Sequence, residues 1–278
     1  MRTTPGHGTK LSYYDFGKTV FYACQADERF SYCCYIPEEY DETSDKHYPL
    51  LAVVHGSERM PETYRQQFVA FAEQHNIVVL LPLFPVGAGD DGDGHAYKFV
   101  EYGSTRYDKI LLAMIDEASK RWRLKSECFM LHGFSGGGHF THRFLYLHPE
   151  RLLAASVGAP GIITMPDETK ASWSGVADLE TRFGKVFNAE ALKNVKLQFV
   201  TGNLDTETWE IAVKPDYHAY NKGINDETTN RLQKLTALRD ALTERGVSVQ
   251  LDIVPGVAHD GFAVLPYVKA FFAEVIRD

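Results

Sequence analysis

The chain has 278 residues, of which 44% are hydrophobic and 24% charged, and its formal net charge is −8. This length suits one large α/β domain, and the composition is typical of a soluble globular protein. Because lysine and arginine are scattered rather than clustered, the sequence argues against a nucleic-acid partner and against an anionic membrane, both of which need a basic face.

Runs typical of β-strands alternate along the chain with amphipathic stretches typical of helices. Strands are predicted for residues 29–36, 50–54, 77–83, 127–132, 153–157, 197–201 and 247–254. Helices are predicted from Pro61 onward and for residues 107–122, 138–147, 228–245 and 264–276. Repeated β-α units of this kind predict an α/β fold with a mainly parallel, eight-stranded sheet flanked by helices.

Two stretches depart from this alternation. Residues 87–103 form a long loop rich in glycine and aspartate, and residues 161–190 mix proline, aromatic and polar residues without a clear period. Loops of this length in a compact domain usually have a function. We predict a single domain over residues 1–278 in which residues 161–190, called the inserted segment below, form a lid over the strand ends.

Localisation signals are scarce. Residues 1–17 lack the apolar core of a secretion signal, and the longest apolar run, 77–86, has ten residues and two prolines. The four cysteines, at positions 24, 33, 34 and 128, have no zinc or redox spacing, so buried free thiols in a reducing compartment are expected. These observations predict a cytoplasmic protein.

The most informative motif is Gly133-Phe134-Ser135-Gly136-Gly137, which follows a short apolar run and precedes a predicted helix. Gly-x-Ser-x-Gly in this context is typical of a nucleophile elbow, a strand-to-helix turn that presents the serine hydroxyl. Glycine is suited to the flanking positions because the strand end and the helix approach each other closely. The alternative is that Ser135 merely caps a helix.

A serine nucleophile needs a base, and the base needs an orienting acid. In an elbow architecture the order is serine, then acid, then histidine, each after a strand. Asp205 follows the strand that ends near Thr201, and His259 follows the strand that ends near Val254. We therefore predict Ser135, Asp205 and His259 as a catalytic triad.

Competing assignments exist for these positions. Glu207 and Asp260 are alternative acids, and Asp205 could simply cap the segment that follows it. For the oxyanion hole we predict the backbone N–H groups of Gly136, directly after the nucleophile, and of Ser57, in the loop after an early strand. The N–H of Glu58 is the alternative to that of Ser57.

No metal site is predicted. His139 and His142 lie three apart on one helix without an apparent third ligand, and the acidic run 89–94 lacks the distant glutamate of a calcium loop. The predicted chemistry needs neither a metal nor another cofactor.

With these residues identified, the chain resembles the α/β-hydrolase superfamily, and within it the carboxylesterases related to poly(3-hydroxybutyrate) depolymerases and feruloyl esterases. The resemblance runs from about Tyr48 to the C-terminus and implies the same triad, on Ser135, Asp205 and His259, and the same oxyanion donors. It is carried by Val54-His55-Gly56, Tyr64-Arg65, Ala72-Glu73-Gln74-His75, the elbow, His142-Arg143, Ala159-Pro160-Gly161, Gly202-Asn203-Leu204-Asp205 and the run from Val254 to Gly261.

The function predicted from the sequence is hydrolysis of a small carboxylic ester or lactone through an acyl-enzyme. Two alternatives stay open: cleavage of an amide or a carbon–carbon bond by the same triad, and a non-catalytic ligand-binding protein on a hydrolase scaffold. The partner is a small-molecule ester, and the oligomeric state stays open. Candidate pocket residues, for which packing is the alternative role, are Glu58, Tyr64, Phe134, Trp173 and Trp209.

Overall fold

The structure is a computed structural model, and it describes residues 11–209, 211–225 and 230–277. The chain forms two compact units, of which the first ends at Leu131 and the second begins at His132. Each unit is described separately below. The single domain expected from the sequence stays a prediction.

The first unit contains most of the strands that precede the elbow. Its helices are α1 (Pro61–His75) and α2 (Tyr107–Arg121), with single 3-10 turns at Tyr13–Asp15 and Ala96–Phe99. Its strands are β1 (Gly17–Lys18), β2 (Tyr22–Ala23), β3 (Ser31–Ile36), β4 (Tyr48–Val54), β5 (Val78–Leu83), β6 (Glu101–Tyr102), β7 (Thr105–Arg106) and most of β8 (Leu124–Phe134).

The strand order in the first unit is β1-β3-β5-β4-β8, with β2 also paired to β3. Strands β4 and β5 are parallel, whereas β3 runs antiparallel to β5, and β1 and β2 run antiparallel to β3. Leu50 to Val54 are almost completely buried, as a strand covered on both faces requires.

The second unit begins within β8, and its strand order is β8-β9-β10-β11. Strands β9 (Leu152–Gly158), β10 (Lys196–Gly202) and β11 (Val249–Val254) are parallel, and Gly202 pairs with Val254, so β10 and β11 end at the same level. The helices are α3 (Gly136–Leu147), α4 (Leu179–Phe183), α5 (Ala189–Leu192), α6 (Arg231–Thr243) and α7 (Leu265–Arg277), with a 3-10 turn at Pro149–Arg151.

The predicted fold class is confirmed, since the chain has a sheet of eight main strands flanked by helices. The sheet is mixed rather than purely parallel because its first strands are antiparallel. The helix predicted from residue 228 begins, in the described part of the chain, at Arg231, where Asn230 accepts a hydrogen bond from the Gln233 N–H. Its predicted first residues, 228 and 229, lie outside the described residues.

Cysteine burial differs from the expectation at one position. Cys24, Cys33 and Cys34 are free and buried, but Cys128 is exposed. Strand β8 begins three residues before the predicted start, and its residues 125–128 are exposed or only half-buried. Among the described helices, none has the length and apolar character needed to cross a membrane.

Candidate active site

Ser135 occupies the turn between β8 and α3. Its backbone has φ 55° and ψ −115°, a conformation that a residue with a Cβ rarely adopts. The turn is held by two backbone hydrogen bonds: the Ser135 N–H donates to the Gly158 carbonyl at 2.8 Å, and its carbonyl accepts from the His139 N–H at 3.0 Å. A strained backbone fixed by its surroundings is typical of functional sites.

Glycines make this turn sterically possible. A Cβ on Gly133 would collide with the Gly137 backbone and lie 2.7 Å from the Thr141 hydroxyl. A Cβ on Gly138 would collide with the Gly158 carbonyl. The strand, the turn and α3 therefore pack with backbone against backbone, as the sequence predicts for a nucleophile elbow.

Asp205 lies three residues beyond the end of β10 and is almost completely buried. Its two carboxylate oxygens have different partners. Oδ2 accepts from Nδ1 of His259 at 2.6 Å, and Oδ1 accepts from Nη1 of Arg231 at 3.3 Å. A buried carboxylate normally requires such partners, because burial without them disfavours its charge.

The loops that carry the acid and the histidine are bonded directly to each other. Asn203 N–H donates to the Val254 carbonyl at 3.0 Å, and Leu204 N–H donates to the Val257 carbonyl at 2.9 Å. The Asn203 side chain also accepts from the Gly256 N–H at 2.7 Å. These three bonds set the distance between the two loops.

His259 lies between the acid and the serine. Its Nδ1 faces Asp205, and its Nε2 lies 3.0 Å from Oγ of Ser135. With the carboxylate accepting from Nδ1–H, Nε2 is left to accept the serine proton. The side chain is 29% exposed, so the imidazole can be reached by solvent.

The competing acids have other partners. Asp260 accepts from the backbone N–H groups of Phe262 and Ala263, at 2.8 Å and 3.1 Å, and so caps the turn after the histidine. Glu207 is exposed, and its carbonyl accepts from Arg231. The structure therefore brings Asp205, and neither competitor, to the imidazole.

The other histidines near the elbow have structural contacts. Nδ1 of His132 lies 3.1 Å from the Ser156 carbonyl, and burial lowers the pKa of His132 to about 4. Nε2 of His139 accepts from the Gly161 N–H at 2.7 Å and from the Ile162 N–H at 3.1 Å. In the described part of the chain no group of three or more histidine, cysteine or acidic side chains is arranged to hold a metal ion.

Helix α3 also holds Thr164, near the start of the inserted segment. The Thr164 N–H donates to Nε2 of His142, its hydroxyl accepts from Nε of Arg143, and its carbonyl accepts from the Tyr146 hydroxyl. Nδ1 of His142 faces the Gly138 carbonyl, and burial lowers the pKa of His142 well below its usual value. Sequence reasoning missed these contacts, although buried polar residues on an otherwise apolar helix were a usable signal.

The pocket residues predicted in the second unit occupy different environments. The Phe134 ring lies 4.9 Å from the His259 ring, centroid to centroid, and so contacts the site. Trp173 is buried in the inserted segment, with the guanidinium groups of Arg143 and Arg182 over its ring. Trp209, four residues after Asp205, is 63% exposed. For the two tryptophans, pocket lining stays a prediction.

The remaining predicted residues are Gly136, at the first position of α3, and three residues of the first unit. Ser57 and Glu58 are exposed in the loop after β4, and Tyr64 is buried on α1. The Ser57 carbonyl accepts from Nη1 of Arg59 at 2.6 Å. The roles of these four residues stay predictions.

His55 fixes the loop after β4 within the first unit. Its Nδ1–H donates to the Gly56 carbonyl at 2.8 Å, and its Nε2 accepts from the Phe84 N–H at 3.0 Å. Complete burial lowers the pKa of His55 to about 3, so the ring is neutral.

Comparison with known proteins bears on the fold. No protein-family model matches the sequence, and no curated protein matches it. LpqC, a poly(3-hydroxybutyrate) depolymerase from Bordetella parapertussis, has a similar structure, with a TM-score of 0.72 and 19% identity over 96% of this chain and 99% of its own.

Two further solved structures are similar. Poly(aspartic acid) hydrolase-1 from Sphingomonas sp. KT-1 has a TM-score of 0.70 and 21% identity over 92% of this chain and 98% of its own. A ferulic acid esterase has a TM-score of 0.62 and 14% identity over 94% of this chain and 98% of its own. The chain therefore has the α/β-hydrolase fold, and its predicted resemblance to poly(3-hydroxybutyrate) depolymerases and feruloyl esterases is confirmed at the level of the fold.

Proposed function

We propose that the protein is a serine hydrolase that cleaves a small carboxylic ester or lactone through an acyl-enzyme. The observation that carries this proposal is the continuous set of hydrogen bonds from Asp205 to His259 to Ser135, with lengths of 2.6 Å and 3.0 Å. Such a chain activates a hydroxyl that is otherwise a weak nucleophile.

In the proposed mechanism, Nε2 of His259 takes the proton of Ser135 as Oγ attacks the substrate carbonyl. The resulting imidazolium then protonates the leaving alkoxide, and an acyl group stays on Oγ. Water attacks the acyl group with His259 again acting as base. Asp205 keeps the imidazole in the tautomer with Nδ1–H and stabilises its positive charge.

The oxyanion formed at each addition step needs two donors, each of which is typically worth about 3–4 kcal/mol of transition-state stabilisation. We assign one to the Gly136 N–H, because this residue directly follows the nucleophile and opens α3. We assign the other to the Ser57 N–H on the sequence argument given above. These steps use only groups of the chain itself.

Covalent labelling tests the proposal most directly. We expect a fluorophosphonate probe to add one equivalent to the protein, mapped by peptide mass spectrometry to Ser135, and Ser135→Ala protein to stay unlabelled. A panel of small esters, lactones and amides then identifies the bond that is cleaved. Folded wild-type protein that neither reacts with the probe nor hydrolyses any member of the panel would contradict the proposal and favour a ligand-binding role.

A cytoplasmic location is part of the same proposal. It is supported by the free thiols of Cys24, Cys33 and Cys34, since free thiols persist in a reducing compartment.

A further inference from the structure

Arg231 is the first residue of α6 and is a buried cation beside the triad acid. Its side chain is 10% exposed, and its Nη1 lies 3.3 Å from Oδ1 of Asp205 and 3.4 Å from the Glu207 carbonyl. No role was predicted for it, and the nucleophile-base-acid mechanism above does not use it. Buried arginines are normally paired, and here the paired carboxylate is the one that orients His259.

We propose that Arg231 is a positioning residue for the Asp205 carboxylate, and that its charge offsets the buried negative charge of that carboxylate. This inference rests on the proposed function for its meaning in catalysis. The arrangement itself is independent of the substrate.

The first part of the inference follows from the fact that the two carboxylate oxygens of Asp205 have different partners. Arg231 occupies Oδ1 and His259 occupies Oδ2, so the plane of the carboxylate is fixed at both oxygens. Hydrogen bonds between charged groups are stronger than neutral ones and hold geometry better. Without the guanidinium, rotation of the carboxylate would misdirect the bond to Nδ1 of His259.

The second part follows from charge. The Asp205 carboxylate is almost completely buried, and a buried carboxylate is costly to the fold unless a cation is paired with it. The guanidinium of Arg231 is paired with Oδ1, so it offsets the negative charge while leaving Oδ2 to His259.

Other charged or titratable groups nearby have partners of their own. Lys234, also on α6, donates to the carbonyls of Gly161 and Ile211. His139 on α3 accepts backbone N–H groups, Glu207 is exposed, and Asp260 caps its own turn. Arg231 is the cation bonded directly to Asp205 among the contacts the structure describes.

Histidine NMR tests this without relying on turnover. Protein labelled in its histidine rings is studied at one pH, and the Nδ1–H signal of His259 is identified by its loss in His259→Ala. In Arg231→Gln, which removes the charge but keeps a donor, we expect this signal to move and broaden, because the bond from Nδ1–H to Asp205 is misdirected. The kcat for ester hydrolysis should fall by about tenfold or more in the same variant.

Two further variants separate charge from structure. Arg231→Lys keeps the charge but cannot reproduce the planar guanidinium, so it should restore only part of the Nδ1–H signal and only part of kcat. Arg239→Gln, on the same helix but half-exposed and bonded to Asp240, is the matched control and should leave both readouts unchanged.

An unchanged Nδ1–H signal of His259 in folded Arg231→Gln would overturn the inference. If Arg231→Gln does not fold, Arg231→Lys decides, because a signal and a kcat equal to those of wild type in that variant would overturn it as well. Failure of the proposed function is recognised separately, because it leaves wild-type protein without Ser135-dependent turnover while the NMR signal still reports on Arg231.

Discussion

His259 and His142 belong to the same unit and are used in opposite ways. His259 lies between two side chains, a carboxylate and a hydroxyl, and is partly exposed. His142 is buried between two backbone groups, the Gly138 carbonyl and the Thr164 N–H, and is held neutral. The difference lies in the partners, since backbone groups fix one tautomer whereas a carboxylate and a hydroxyl permit a proton to move.

This comparison explains why histidine is so frequent near the elbow. Nδ1 of His132 lies against the Ser156 carbonyl of β9, whereas His139 and His142 accept backbone N–H groups of the inserted segment and so position it against α3. Only His259, among the histidines of the second unit with described contacts, joins an acid to a nucleophile. The comparison leads to four predictions.

The largest expected effect is on turnover. His259→Ala should lower kcat for ester hydrolysis by about a millionfold, because it removes the base on which nucleophile activation depends. Its free energy of unfolding, measured in urea, should fall by only about 1–3 kcal/mol, because the exposed ring leaves little cavity but the buried Asp205 carboxylate loses one partner. A variant that retains a tenth of the wild-type rate would contradict the role of His259.

A smaller loss of turnover is expected for Asp205→Asn. An amide at this position no longer holds the Nδ1–H tautomer, and the cost in kcat should be about ten-thousandfold. Burst kinetics with an activated ester measure the acylation step. Asp260→Asn is the matched control, and a comparable loss there would assign the acid to Asp260 instead.

His142→Ala should affect stability rather than chemistry. It leaves the Thr164 N–H and the Gly138 carbonyl without their side-chain partner and creates a cavity, so the free energy of unfolding should fall by about 3 kcal/mol. The folded fraction should keep kcat within about tenfold of wild type. His47→Ala, at an exposed histidine, is the control and should change stability by less than about 0.5 kcal/mol.

The smallest expected effect is on how steeply the free energy of unfolding changes with pH. Burial lowers the pKa of His55 to about 3 and that of His132 to about 4. Below about pH 6.5 the unfolded chain therefore binds protons on these two rings that the folded protein does not bind, and the folded protein loses stability. Each ring should therefore cost about 1.4 kcal/mol of stability per pH unit between about pH 6 and pH 4. In His132→Gln, the free energy of unfolding should depend less steeply on pH by that amount. Urea unfolding at pH 6, 5.5 and 5 measures this dependence, and a dependence equal to that of wild type would show that His132 is not held neutral.

Much of the fold was predictable because its signals are local. Apolar runs such as Leu50 to Val54 indicate strands buried on both faces, and the elbow glycines indicate close backbone packing. The order of Ser135, Asp205 and His259 placed all three after strands, and the structure brings them within hydrogen-bonding distance. The antiparallel pairing of β3 was not predictable from its apolar pattern, because burial is similar in both orientations.

The features of the site that the sequence did not predict depend on contacts between residues far apart in the chain. Arg231 meets Asp205 across 26 residues of chain, and nothing in its own neighbourhood indicates that pairing. His139 and His142 have the spacing of one helix face, which is compatible with a metal site or with backbone contacts. Only the position of the inserted segment against α3 decides between them.

The bonds between the Asp205 loop and the His259 loop have a consequence for motion. Asn203 and Leu204 are joined by main-chain bonds to the far loop, so opening one loop requires breaking bonds to the other. We expect the amides of Asn203, Leu204 and Gly256 to exchange with deuterium together, as one cooperative unit. Ser135 lies in the turn after β8, outside these two loops, so thermal fluctuation should change the distance from the imidazole to the hydroxyl more than the distance from the imidazole to the acid.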